Sequence, residues 1–374
     1  MANPIVCTET AAHPVQGGGR VEAVALKINR KSQSFGDTFR QWSRLGRHGP
    51  PLLAPEVALL TARLVREPEP LLVGAAHRGT LVAALALARR GRTLRALRSD
   101  HTPRVDVIGD RAAAPALWRA IRTIDGWDAL ELRGVPSDSF LAQELPVLAR
   151  AEDCRVYVRE VSRTPWFDIR GIEARIHRRF GRDLRRLERQ LGGVALERIA
   201  VFDRGALREL LRLEASSRKG RSPTAVAGEH RLGAFYSAIA RVFARRGQLT
   251  IAFVRARGLR IAGCLALEDG QTFHLLKIAY DPEYARFGPS QLLLWETALD
   301  AERRGLARYD LVGHDATRRA MRSDTARSHV EIRVYAPSLR GRARCWAREV
   351  ALPVASRATR TLHALTSPAP PSSS

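Results

Sequence analysis

Residues 281–291, Asp-Pro-Glu-Tyr-Ala-Arg-Phe-Gly-Pro-Ser-Gln, lead from an apolar, strand-like run into a helical one. A glycine turn that opens a helix leaves several backbone N–H groups without intrahelical partners, and the helix dipole adds positive potential there. That combination suits a phosphate or pyrophosphate. Gly288 would allow close backbone approach, and Ser290 and Gln291 would supply N–H donors. Arg286, beside Phe287, could add a charge-assisted contact. Pro289 has no N–H but suits a first helical turn. No Cys–His or Ser–His pattern points to a covalent nucleophile. The four cysteines, Cys7, Cys154, Cys264 and Cys345, are scattered without CxxC or metal-ligand spacing. They read as reduced thiols, and no metal site is expected.

The elements that position this loop form part of a repeat. Arg78-Gly79 and Arg257-Gly258 open segments that pair without a gap, with Val82 matching Ile261, Gly91 matching Gly270 and Thr93 matching Thr272. Each copy reads as a hairpin, a third strand, a helix and a further strand. Leu117-Trp118 then parallels Leu294-Trp295, and Trp127-Asp128-Ala129-Leu130 parallels Tyr309-Asp310-Leu311-Val312, with offsets that drift. A repeat this long implies two copies of one domain, not a short-period solenoid. Strands are expected near residues 71–75, 81–88, 93–97, 129–132, 249–254, 260–267, 272–279 and 309–312. Helices are expected near 55–66, 115–124, 137–149, 171–191, 203–213, 232–245 and 290–304. The helix over 171–191 carries apolar residues every three or four positions and arginines on its other face. Domain limits follow: a flexible segment over 1–34, a first domain over 35–166, a second over 167–336, and a basic tail over 337–374.

The 374 residues carry a net charge of +24, yet only four of the 62 basic residues are lysines. Arg excess with abundant Ala and Gly fits codon bias, and few aromatics interleave the basic runs. Nucleic-acid binding is therefore not expected. No apolar run approaches the roughly 20 residues needed to span a bilayer, and the first residues do not read as a signal peptide. A cytoplasmic location is expected, with peripheral membrane contact open to the basic tail.

The order of strands, loop and helix resembles the acetyl-CoA-binding core of GNAT acyltransferases. More closely, the chain resembles double-GNAT proteins of the cellulose-biosynthesis CelD-like type, relatives of the FemAB fold. The matching stretches include Leu213-Glu214-Ala215-Ser216-Ser217-Arg218-Lys219-Gly220, Phe235-Tyr236, Gly247-Gln248-Leu249, Ile261-Ala262-Gly263, Tyr280-Asp281-Pro282-Glu283-Tyr284-Ala285 and Tyr309-Asp310-Leu311-Val312-Gly313-His314-Asp315. Trp127 to Leu132, with Val135-Pro136, matches in the first half. The resemblance implies an α+β protein of two tandem GNAT-like domains, with mixed central sheets flanked by helices. It also implies a bound acetyl-CoA or other acyl-CoA, and direct acyl transfer to an amine or hydroxyl of a small-molecule or polysaccharide acceptor.

Such transfer needs positioning, a base and a donor to the thioester oxygen. His314 and Asp315 are the first choice of base, with Glu214 and His274 as further candidates. Tyr280 is a candidate acid for the leaving thiolate, and Lys277 lies on the same strand before the loop. In the first copy, residues 105–111 carry acidic residues where pyrophosphate would sit. That copy therefore reads as a degenerate partner that shapes the acceptor groove. Two alternatives stand: a FemAB-like aminoacyltransferase that draws its donor from charged tRNA, or a non-catalytic accessory of polysaccharide assembly. The latter is opened by Arg218, Ser290 and Arg318, in places where the resemblance implies Trp, a Ser-Pro-Gly ending in Gly, and a Tyr-Lys that here reads Thr317-Arg318.

Overall fold

A computed structural model describes residues 21–27, 33–47, 49–67, 69–216, 230–312 and 325–351. The first half runs β1 (Val21–Lys27), α1 (Gln33–Leu45), α2 (Pro55–Leu64), β2 (Pro70–His77), β3 (Thr80–Arg90), β4 (Thr93–Ala96), β5 (Ile108–Gly109), α3 (Ala114–Arg122), β6 (Ala129–Pro136), α4 (Phe140–Ala151) and β7 (Arg155–Asp168). The second runs α5 (Ile172–Leu191), β8 (Ala195–Ile199), α6 (Arg204–Ser216), α7 (His230–Arg245), β9 (Leu249–Ala256), β10 (Leu259–Glu268), β11 (Thr272–Tyr280), α8 (Pro289–Arg303), β12 (Arg308–Asp310), β13 (Ala326–Tyr335) and α9 (Leu339–Trp346).

The Arg-Gly pairs turn the two hairpins of the repeat. Arg78 and Gly79 have φ of 50° and 73°, and Arg257 and Gly258 have 50° and 80°. Two consecutive left-handed residues make the tight turn whose twist matches that of the flanking strands. β2–β3 and β9–β10 are thus equivalent hairpins. β4 and β11 follow them, and parallel β6 and β12 come next. The pairing Leu94↔Leu130 corresponds to Phe273↔Tyr309. This corrects the sequence alignment: Tyr309 matches Leu130 and Asp310 matches Glu131, so the offset does not drift at these strands. Asp128, expected to match Asp310, instead ties to Arg92 at 2.6 Å.

All strands join one mixed sheet in the order β1-β2-β3-β4-β6-β13-β7-β12-β11-β10-β9-β8, with β5 on β3. The halves exchange strands. β13, from the end of the chain, lies between β6 and β7, while the far end of β7 pairs with β12. The division expected at 166–167 falls inside β7, and this strand belongs to both halves. β1 matches the short strand expected around Val21 to Ile28 within the 1–34 segment, and it pairs with β2 through all seven of its residues. The basic tail opens with α9, whose Cys345 is buried against Ala129 and Tyr335.

Helices cover both faces. In the first half, α3 and α4 bury Trp118, Ile121 and Leu145 on one face, and α1 and α2 bury Trp42 and Ala58 on the other. In the second half, α5 and α8 bury Ile176 and Trp295 on one face. On the other, α6 and α7 bury Leu210, Tyr236 and Phe243 together with Val57 of α2, so the helical layers of the two halves also meet. Among the described residues, no helix is long and apolar enough to cross a membrane.

Candidate active site

β11 and β12 pair in parallel over only three positions, ending at His274↔Asp310. The Leu311 N–H then turns away to the Pro165 carbonyl at 3.2 Å, while β11 continues to Tyr280. The strands fork at this point.

A bulge just past the fork decides which side chains face which way. Along β10, Leu265 pairs with Lys277 but Ala266 pairs with Leu275, leaving Leu276 as the extra residue. The alternation flips there. Lys277 consequently faces α6 and α7, where its Nζ donates to Glu214 Oε1 at 2.6 Å and lies 5.3 Å from the centre of the Tyr236 ring. Both charged side chains are largely shielded, at 13% and 5% exposure. Tyr236 Oη lies 2.8 Å from His101 Nδ1, and His101 comes from the first half. Burial, reinforced by the Lys277 charge, lowers the His101 pKa to about 4, so this imidazole is neutral at pH 7. Burial also raises the Tyr236 hydroxyl well above its ordinary range.

The fork apex is a buried charge cluster. His274 Nε2 lies 2.9 Å from Asp269 Oδ2, and its Nδ1 lies 3.5 Å from Asp310 Oδ2, an ion-pair distance that makes no hydrogen bond. Arg104, also from the first half, pairs with the same Asp310 carboxylate. Burial alone would depress the His274 pKa, but Asp269 and Asp310 outweigh it and raise the value. Burial likewise pushes Asp310 up, and Arg104 and His274 overcome that and hold it ionised. A histidine clamped between two carboxylates that favour its protonated form is a structural pin. The cleft above it, about 300 Å³, is bounded by residues of both halves, including Trp166, Arg308 and Arg104.

The loop before α8 keeps part of its expected chemistry. Gly288 adopts φ 59°, and an added Cβ there would find no atom nearer than 4.0 Å, so the approach to the helix is open. The Gln291 N–H, expected to face a phosphate, is instead spent on the Gly288 carbonyl at 2.9 Å. Among the described residues, the Ser290 N–H takes no partner. Arg286 rests 4.6 Å from the Phe287 ring centre. Tyr280 and Phe287 pack toward α8, on the sheet face opposite to Lys277. Lys277 and Glu214 are therefore together, but Tyr280 is not with them. His314 and Asp315 lie outside the described residues.

The first half has the same fork, and it is filled. β4 and β6 pair over three positions ending at Arg95↔Glu131. Beyond them Val105 donates to the Gly134 carbonyl at 3.2 Å. A Cβ on Gly134, whose φ is 90°, would lie 2.2 Å from the Pro103 oxygen. Residues 103–105 thus lie against β6 just beyond the fork. In the loop before α3 the Asp110 carboxylate accepts from the Ala112 N–H at 2.9 Å, as Asp281 does from the Glu283 N–H at 3.0 Å in the loop before α8. The loop that plugs this fork also delivers His101 and Arg104 to the second half. Sequence reading missed His101, because nothing local marks a histidine whose partner is 135 residues away.

Residues 174–334 match the family model described as an acetyltransferase (GNAT) domain. These residues of the second half are thus similar to a GNAT domain. Among solved structures, FemX superposes with a TM-score of 0.56 at 12% identity, covering 84% of this chain and 98% of FemX. A conserved protein of unknown function from Bacteroides thetaiotaomicron superposes at 0.55 and 12% identity, covering 82% of this chain and 99% of that one. A tandem GNAT protein from the clavulanic acid biosynthesis pathway is a looser likeness, at 0.41 and 15%, covering 85% and 100%. No curated protein matches the chain. At these identities the likeness is one of fold: two tandem GNAT-like domains, α+β, with helices on both faces of a mixed sheet.

Proposed function

We propose that the second half transfers an acyl group from an acyl-CoA, acetyl-CoA in the simplest case, to an amine or hydroxyl of a small-molecule or polysaccharide acceptor. The observation that carries this reading is the β11–β12 fork, which no backbone hydrogen bond spans among the described residues, beside the buried Lys277–Glu214 pair and set against a first-half fork where residues 103–105 pack on β6.

The fork side of β11 suits backbone pairing with the extended arm of the donor. The Ser290 N–H and the Arg286 guanidinium are the groups that would hold its diphosphate. Lys277 carries a positive charge in a site of low dielectric, where it favours negative charge developing on the thioester oxygen. Glu214 fixes the position of that ammonium. His101, with a pKa of about 4, is too weak a base for an amine's proton at neutral pH and serves to orient Tyr236. We assign the proton-accepting role to His314 and Asp315, which follow Val312-Gly313 in sequence.

The test is calorimetric titration of the full chain with a panel of acyl-CoAs. Ser290→Asp should weaken binding at least about tenfold by placing a carboxylate against the diphosphate. His314→Ala should spare binding and lower turnover. Absence of acyl-CoA binding, together with acyl transfer from charged tRNA, would replace this reading with the aminoacyltransferase one.

A further inference from the structure

The filled fork of the first half lies beside a cavity of about 330 Å³, at the lower end of the range for small-molecule sites. It occupies the place that the cleft near His274 and Asp310 occupies in the second half. The charges differ. The acidic residues around the first-half cavity are already engaged. Glu131 lies 3.4 Å from Arg348, Glu67 lies 3.3 Å from Arg90, and Glu331 is held at 2.6 and 2.7 Å by Arg159 and Arg333.

Three further guanidinium groups line the same cavity: Arg95, Arg98 and Arg133. Among the described residues, neither Arg95 nor Arg133 has a carboxylate within ion-pair distance. Arg98 has only the exposed Asp100, 3.7 Å away. Its Nε is buried without a hydrogen-bond partner, a cost that a native fold normally avoids. Burial disfavours the Arg98 cation, Asp100 offsets this in part, and the nearby Arg133 charge adds to it. Three convergent guanidinium groups with a donor left over call for an oxyanion with several acceptor atoms.

We propose that this cavity is a binding site for a small phosphate ester or diphosphate, held by Arg95, Arg98 and Arg133. Planar guanidinium forks match phosphoryl oxygens in charge and geometry. The concave shape admits a small molecule and not a nucleic-acid backbone. The site is separate from the Ser290 loop and does not depend on the acyl-transfer reading.

The full chain is titrated calorimetrically with inorganic pyrophosphate and, separately, with inorganic phosphate, at physiological salt. Saturable binding is expected, tighter for pyrophosphate. The double variant Arg95→Gln/Arg133→Gln, at two exposed positions, should keep the melting temperature and weaken binding at least about tenfold. Ser290→Asp should leave this binding intact. The proposal is overturned if neither anion binds saturably, if the double variant binds like the parent, or if Ser290→Asp alone removes the binding.

Discussion

The Lys277 ammonium and the Glu214 carboxylate meet at 2.6 Å across the layer between β11 and α6. Neither would be stable there alone. Removing one partner of a buried pair typically costs about 3–5 kcal/mol, because the other charge stays desolvated. Glu214→Gln and Lys277→Met should each lower unfolding free energy by roughly that amount, and the double variant by clearly less than their sum. Denaturant unfolding of the four proteins gives the coupling, and strict additivity would show that the pair is not an energetic unit.

Acid should destabilise the fold through two histidines. Burial holds His101 and His329 at about 4, against 6.5 for an unfolded histidine. Between these values the unfolded chain binds protons that the folded chain refuses, so stability is present above pH 6.5 and is lost as pH falls towards 4. Asp106, raised to about 6 by burial, acts in the opposite sense over part of that window. Glu296, also raised by burial, acts in the same sense as Asp106, and replacing the two imidazoles isolates their share. Urea midpoints should drop as pH falls, and His101→Asn with His329→Asn should flatten the profile. An unchanged slope in the variants would rule out the two imidazoles as its source.

Gly134 is the point on β6 where the plug rests. Any side chain there combines an unfavourable φ with a clash against the Pro103 oxygen. Gly134→Ala should cost roughly 3 kcal/mol and should shift the loop bearing His101 and Arg104. Turnover should therefore fall even though Gly134 lies in the other half. A variant with normal stability and activity would mean that the loop adjusts freely.

Strand exchange makes a prediction for fragments. Residues 167–336 alone lack nearly all of β7, so β13 loses both of its neighbours. Such a piece should aggregate or melt without cooperativity, as unpaired edges do. A piece that starts at residue 152 regains the β7–β13 pairing and should be better ordered by circular dichroism and proton NMR. Equal behaviour of the two fragments would contradict this.

The hairpins were legible because Arg78-Gly79 and Arg257-Gly258 are turn signals flanked by apolar runs, and the large helices because of their apolar spacing. β7 and β13 were not legible. Most of β7 from Arg155 to Arg163 is exposed or half-exposed, so burial imposes no apolar alternation there. In β13, buried Glu331 and Arg333 satisfy each other, and a charged run reads as a loop when its partners are unseen. The same limit applied at the site. Lys277 and Glu214 were each named, but only the bulge at Leu276 turns the lysine toward the glutamate and away from Tyr280. Helix-start chemistry predicted a free Gln291 N–H, which the local turn to Gly288 consumes.

The position of β13 also sets an order of events during synthesis. Ala129 pairs with Tyr335, about 200 residues later in the chain. The sheet of the first half cannot close until the chain through Tyr335 has left the ribosome. Until then β6 and β7 offer adjacent open edges, and contacts of such long sequence separation form slowly. The nascent first half is therefore the stage at which this protein would most depend on chaperones, and it is β13 that ends that exposure.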